Sequence, residues 1–115
     1  MQVRFVRSGL AAFAVSVFLG GAAFAASADN GKKRYVEAGC WQCHGGVGQG
    51  GIAGPKLAPE PIPQETFVTF VRTTNRAMPP YREPVLSDSD LADIYAYLQT
   101  IPKSPDPKSI PLLNQ

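Results

Sequence analysis

The chain has 115 residues, with 11 Lys or Arg, 9 Asp or Glu, one His, two Cys and a formal charge of +2; a single domain is expected at that length. The weak basicity gives no support for nucleic-acid binding, because the one basic cluster, Lys32-Lys33-Arg34, is too short for a footprint on DNA or RNA. Two cysteines give at most one disulfide, which excludes a disulfide-held scaffold.

The first 28 residues read apart from the rest. Arg4 and Arg7 form a short positive start, Leu10 to Leu19 (LAAFAVSVFL) carries no charge, and small residues follow Gly20-Gly21. Two A-x-A sites end at Ala25 and Ala28. This is the order of a secretory signal peptide cleaved after Ala25 or Ala28, and it implies export to a bacterial periplasm. An uncleaved leader would instead be a membrane anchor, since the uncharged run from Ser8 to Ala28 is nearly long enough to span a bilayer. Removing the leader takes away Arg4 and Arg7 and no acid, so residues 29–115 hold nine bases and nine acids and are formally neutral. A piece of that size is near the limit at which one apolar core suffices without a staple.

Asp29 or Asn30 caps a predicted helix that runs through KKRYVEAG into the cysteine segment, with Tyr35 and Ala38 on one side. Gly45, Gly46, Gly48, Gly50, Gly51 and Gly54 then crowd ten positions and mark a loop. The stretch APEPIP leads into QETFVTFVRTT, where Phe67, Phe70 and Val71 follow the i, i+3, i+4 pattern of a short amphipathic helix. A second loop, NRAMPPYREPVL, comes next. Ser87 and Asp90 then make a reciprocal cap, and Leu91, Ile94, Tyr95, Leu98 and Ile101 form an apolar stripe that Pro102 ends. The tail, residues 102–115, is Pro-rich and is assigned no regular structure. No segment alternates with period two, so the predicted class is all-α: three main helices and long loops over residues 29–101. Loops that long in a small domain need something to pack against.

GCWQCHGG, residues 39–46, holds both cysteines and the only histidine. On a helix Cys40, Cys43 and His44 fall at i, i+3 and i+4 and share a face. A flat macrocycle against that face could take both thiols on its edge and the imidazole on its central metal. C-x-x-C-H is the mark of covalent haem attachment through two thioether bonds. A thioredoxin-like redox pair would need strands, which this chain lacks. A structural zinc site needs four ligands, and no further Cys or His is present. A plain disulfide would leave His44 and the glycine loop without a role. Haem also supplies the missing apolar core.

Four stretches in order, GKKRYVEAGCWQCHG, AGPKL, AMPPYREPVLSDSDL and DIYAYLQTI, resemble a class I c-type cytochrome, the small monohaem electron carriers; the resemblance covers residues 31–101. It implies a small class I cytochrome c fold wrapped around one covalently bound haem c, with Cys40 and Cys43 as the thioether residues. His44 and Met78 would be the axial iron ligands, and the Pro55 carbonyl the acceptor for the second His44 nitrogen. The Met78 reading has support in the residues themselves, since Met78 lies in a polar loop beside Pro79-Pro80, not on a helical stripe. Leu57, Phe67, Phe70 and Tyr81 are expected in the pocket, and Gly31 and Tyr97 at the crossing of the first and last helices. Arg72, Arg76 and Arg82 are candidates for a haem propionate or a partner.

An iron ligated on both faces has no open position, so the expected function is electron transfer with no catalytic residue. The expected partners are redox proteins, namely a dehydrogenase, an oxidase or a reductase, met by a soluble carrier or a bound subunit. Lys56, Arg76 and Arg82 would form a basic rim, opposed by Asp88, Asp90 and Asp93. The alternative is a haem enzyme or gas-binding protein with an open sixth site.

Overall fold

The computed structural model describes residues 25–114, so the charged start and apolar run of the expected leader lie outside it. The described residues form four α-helices: α1 (Ala28–Glu37), α2 (Trp41–His44), α3 (Gln64–Thr73) and α4 (Asp88–Thr100). Two 3-10 turns, Pro107–Ser109 and Pro111–Leu113, follow in the tail. No strand occurs among the described residues, as the missing period-two pattern predicts. No helix among them is long and apolar enough to cross a membrane.

The cap of α1 is Ser27, not Asp29 or Asn30. Its backbone is extended, its hydroxyl accepts the Asn30 N–H at 3.2 Å, and its carbonyl accepts the Gly31 N–H at 2.8 Å. The other candidates fall inside the first turn, where the Asn30 amide donates to Asp93 of α4 at 2.6 Å instead. The Ser27 N–H also reaches Asp93, at 2.6 Å. One carboxylate thus ties the start of α1 to α4.

Nor does α1 run on into the cysteines. Gly39, at φ +78°, adopts the left-handed conformation that ends a helix at low cost. The Gly39 N–H bonds the Val36 carbonyl and the Cys40 N–H the Tyr35 carbonyl, each at 3.1 Å, which is the Schellman pattern. The chain then restarts as the single turn α2.

The reciprocal cap of α4 forms as predicted, with the Ser87 hydroxyl accepting the Asp90 N–H and the Asp90 carboxylate accepting the Ser87 N–H, both at 3.1 Å. Burial works against the Asp90 charge, but bonds from Ser87 and Arg34 outweigh it and hold the carboxyl below its ordinary range. Leu91, Ile94, Tyr97 and Leu98 of α4 are buried with Tyr35 of α1, Phe67 and Val71 of α3, and Ala58 and Leu86 of the loops. The Tyr35 and Tyr97 rings meet at 5.6 Å and the Phe67 and Tyr95 rings at 5.7 Å, within the range of favourable aromatic pairs.

The expected crossing glycine is present, and its partner is the Asp93 backbone. A Cβ on Gly31 would collide with the Asp93 carbonyl. Gly31→Ala gains about 1 kcal/mol of helix propensity but forces the two backbones apart, at about 3 kcal/mol. The expected result is a net loss of about 2 kcal/mol, a large share of a typical domain's stability. A shift of the urea midpoint to lower concentration checks it; an unchanged or higher midpoint would mean that the helices do not cross this closely.

The tail has more local order than its composition suggests. The Asp106 carboxylate accepts the Lys108 N–H at 2.9 Å, and the Asn114 amide lies 2.8 to 3.0 Å from the Pro107, Lys108 and Ile110 carbonyls. Lys103 pairs with Glu60 at 2.7 Å where the tail leaves α4.

Candidate functional site

The site is built on α2, one turn set between Gly39 and Gly45, both with positive φ. Cys40 begins it half-buried against the core, Cys43 is exposed, and both are free thiols. Burial pushes the Cys40 thiol above its ordinary range. His44 ends the turn and is buried, with 7% of its surface exposed. Its Nδ1 donates to the Pro55 carbonyl at 2.7 Å. A proton on Nδ1 leaves the lone pair of Nε2 free to bind a metal, and the same bond orients the ring.

The glycine loop places that carbonyl. The Gly50 N–H donates to the His44 carbonyl at 2.8 Å, the Gly51 N–H to the Gly54 carbonyl at 2.9 Å, and the Leu57 N–H to the Gly48 carbonyl at 2.7 Å. Gly54 lies flat against the imidazole, since a Cβ there would sit 3.0 Å from His44 Nδ1 and Cε1. Behind the loop the helix crossing supplies two hydroxyls. Tyr35 donates to the Gly45 carbonyl at 2.7 Å and Tyr97 to the Gly46 carbonyl at 3.4 Å. Tyr35 is pushed up to about 12 by burial, with a smaller contribution from the nearby Cys40 charge; its hydroxyl therefore stays a donor at neutral pH. Nothing in the glycine spacing announces these two bonds, although a tyrosine on a buried stripe needs a partner for its hydroxyl.

Met78 comes from the loop between α3 and α4 and is half-buried against the same core as Cys40, Leu57 and Tyr81. Of the four residues expected in a pocket, Phe67 is buried in the core, Leu57 and Tyr81 pack against it, and Phe70 is 45% exposed. Tyr81 is held at both ends of the residue, its N–H on the Val71 carbonyl at 3.0 Å and its hydroxyl on the Ala38 carbonyl at 2.7 Å.

The charged residues divide differently from the sequence expectation. Arg72 is engaged within the fold: it donates to the Tyr81 and Leu86 carbonyls at 2.8 and 2.7 Å and to Asp88 at 2.6 Å. Asp90 is engaged by Ser87 and Arg34, and Asp93 by Ser27 and Asn30. Asp88, Asp90 and Asp93 thus each also tie α4 to another element. Lys56, Arg76 and Arg82 remain exposed.

Among the described residues no three His, Cys, Asp or Glu side chains gather closely enough to hold an ion by themselves. Two unpaired thiols on one turn, an imidazole fixed by its other nitrogen and a thioether on a separate loop do suit a planar group that brings its own iron. The residues present therefore fit haem.

A family model described as Cytochrome C oxidase, cbb3-type, subunit III matches residues 26–98. No curated protein and no solved structure matches the chain. The family match runs from the residue before the Ser27 cap to Leu98 in α4, taking in every helix of the domain, and it agrees with the all-α architecture and the C-x-x-C-H turn. On that extent the chain belongs to the family of cbb3-type cytochrome c oxidase subunit III domains and is a class I c-type cytochrome.

Proposed function

We propose that the chain is a periplasmic electron-transfer protein that holds one haem c through Cys40 and Cys43 and ligates its iron with His44 and Met78. The observation that carries this reading is the 2.7 Å bond from His44 Nδ1 to the Pro55 carbonyl, which leaves Nε2 free beside two unpaired thiols. When bound, the haem supplies a ferrous–ferric couple at a potential that its axial ligands tune. The chain's own part is to hold and to exclude. Cys40 and Cys43 would prevent the haem's dissociation, the Pro55 carbonyl keeps the imidazole in one tautomer, and Met78 would hold the iron against oxygen and peroxide. The expected leader supports export to the periplasm, since covalent haem attachment and a secretory signal agree.

Redox proteins are the partners this reading requires. Members of the matched family are described as subunit III of a cbb3-type oxidase, which favours an oxidase complex over a dehydrogenase or a reductase as the electron acceptor. Lys56, Arg76 and Arg82 are exposed on the loops that carry Pro55 and Met78, and support an acidic partner. An electrostatically guided encounter should slow as salt rises.

The test uses the holoprotein. Redox titration should return one electron per chain, and the reduced protein should be reoxidised in air only when membranes containing a cbb3-type oxidase are added. That rate should fall several-fold between low and high salt; a flat rate would mean an apolar, lasting contact. Rapid turnover of oxygen or peroxide by the chain alone would overturn the carrier reading in favour of a haem enzyme.

A further inference from the structure

We infer that Arg72 is a positioning residue that locks the loop bearing Met78, and thereby sets how firmly the Met78 sulfur is held at the sixth position. The inference rests on the proposed ligation by Met78.

The loop after Met78 bonds to itself in one turn, where the Val85 and Leu86 N–H groups donate to the Arg82 carbonyl, each at 3.0 Å. Pro79, Pro80 and Pro84 have no N–H, and the Tyr81 N–H reaches back to Val71 on α3. Arg72 lies next to Val71 and reaches the same loop with its side chain. Its Nη1, which carries two hydrogens, donates to the Tyr81 carbonyl at 2.8 Å and the Leu86 carbonyl at 2.7 Å. Those two carbonyls bracket residues 82–85, so one nitrogen clamps both ends of the segment that joins Met78 to α4. Nη2 donates to Asp88 in the first turn of α4 at 2.6 Å.

The Arg72 side chain is 18% exposed and Asp88 is 77% exposed. The outer ion pair is therefore screened and weak, whereas charge-assisted bonds to sheltered carbonyls are the strong ones. The clamp should thus reside in the two carbonyl bonds. A loop that opens more often releases its sulfur more often, and an external ligand then competes better in proportion.

The experiment compares wild-type holoprotein with Arg72→Ala, Arg72→Lys and Asp88→Ala. Carbon monoxide affinity of the reduced form and the sulfur-to-ferric-iron charge-transfer band are the readouts, with far-UV circular dichroism as the control for folding. Arg72→Ala should keep its covalent haem and helicity, lose the band on heating well before the helices melt, and bind carbon monoxide about ten- to a hundredfold more tightly. Arg72→Lys, with a different reach, should gain severalfold, and Asp88→Ala should stay within about twofold of wild type. If wild type shows the band while both Arg72 variants match it in band and affinity, the clamp is refuted and Met78 ligation stands. If Arg72→Ala fails to fold, a wild-type affinity in Arg72→Lys refutes the clamp. A wild-type protein without the band overturns Met78 ligation and the clamp with it.

Discussion

Met78→Ala is expected to leave a protein that keeps its haem and its helices, yet has a lower reduction potential and binds carbon monoxide. The argument is one of elimination supported by packing. Met1 is the only other methionine and belongs to the expected leader, and His44 is the only histidine. A lysine amine would have to lose a proton from a group with a reference pKa of about 10.4. Water would leave an open, exchangeable site. Met78 costs no proton, is half-buried against the core, and is followed by Pro79 and Pro80, whose fixed φ lowers the entropy of holding the sulfur in place.

Truncating a half-buried side chain should cost about 1–2 kcal/mol, less than a fully buried one, so the fold survives. The potential should fall by on the order of 0.2 V, a fraction of the roughly 0.8 V range that axial ligands span. Redox titration and a carbon monoxide titration of the reduced variant check both effects. An unchanged potential would show that some other group holds the sixth site.

Cys43→Ser should yield little holoprotein, and the double variant Cys40→Ser with Cys43→Ser none. Both thiols are free on the α2 turn. The protein's own core is small, with Tyr35, Leu86, Leu91, Ile94 and Leu98 as the large side chains that are fully buried. Most of it lies between α1 and α4, while the loops carrying Pro55 and Met78 are held largely by hydrogen bonds. A group that binds only the folded state stabilises it by mass action, and a covalent link makes that contribution permanent. Without haem the chain should be largely unfolded. Wild type should retain haem on a denaturing gel; haem extracted from it by acidic acetone would falsify covalent attachment. Far-UV circular dichroism of the double variant should show most of the helicity lost, and a cooperative thermal transition in that variant would mean that the protein core suffices alone.

The sequence was legible wherever the determinant is local. Ser87 and Asp90 lie three apart and cap α4 with no help from elsewhere. The stripe from Leu91 to Leu98 follows from helical periodicity, and the C-x-x-C-H turn from the spacing of its thiols. Gly31 at the helix crossing and the Pro55 acceptor came from resemblance to known cytochromes, and the structure has both in those roles.

Contacts between distant positions had no such signal. The Ser27 cap has no distinctive signal, because Asp29 and Asn30 are equally good capping types, and it is Asp93 of α4, 63 residues away in the chain, that draws the Asn30 amide out of contention. Arg72, read by charge alone, looks like any exposed arginine; only the fold brings two carbonyls and Asp88 within its reach. Asp88, Asp90 and Asp93 read as one acidic group for the same reason, although Asp88 ties α4 to α3 while Asp90 and Asp93 tie it to α1. The sequence by itself therefore determined the helix class and the C-x-x-C-H turn, because those depend on spacing within a few residues, and resemblance to known cytochromes added Met78 as a candidate ligand. The tertiary structure alone decided which hydroxyl, carbonyl and guanidinium meet, because a hydrogen bond depends on direction and distance across elements that spacing along the chain does not encode.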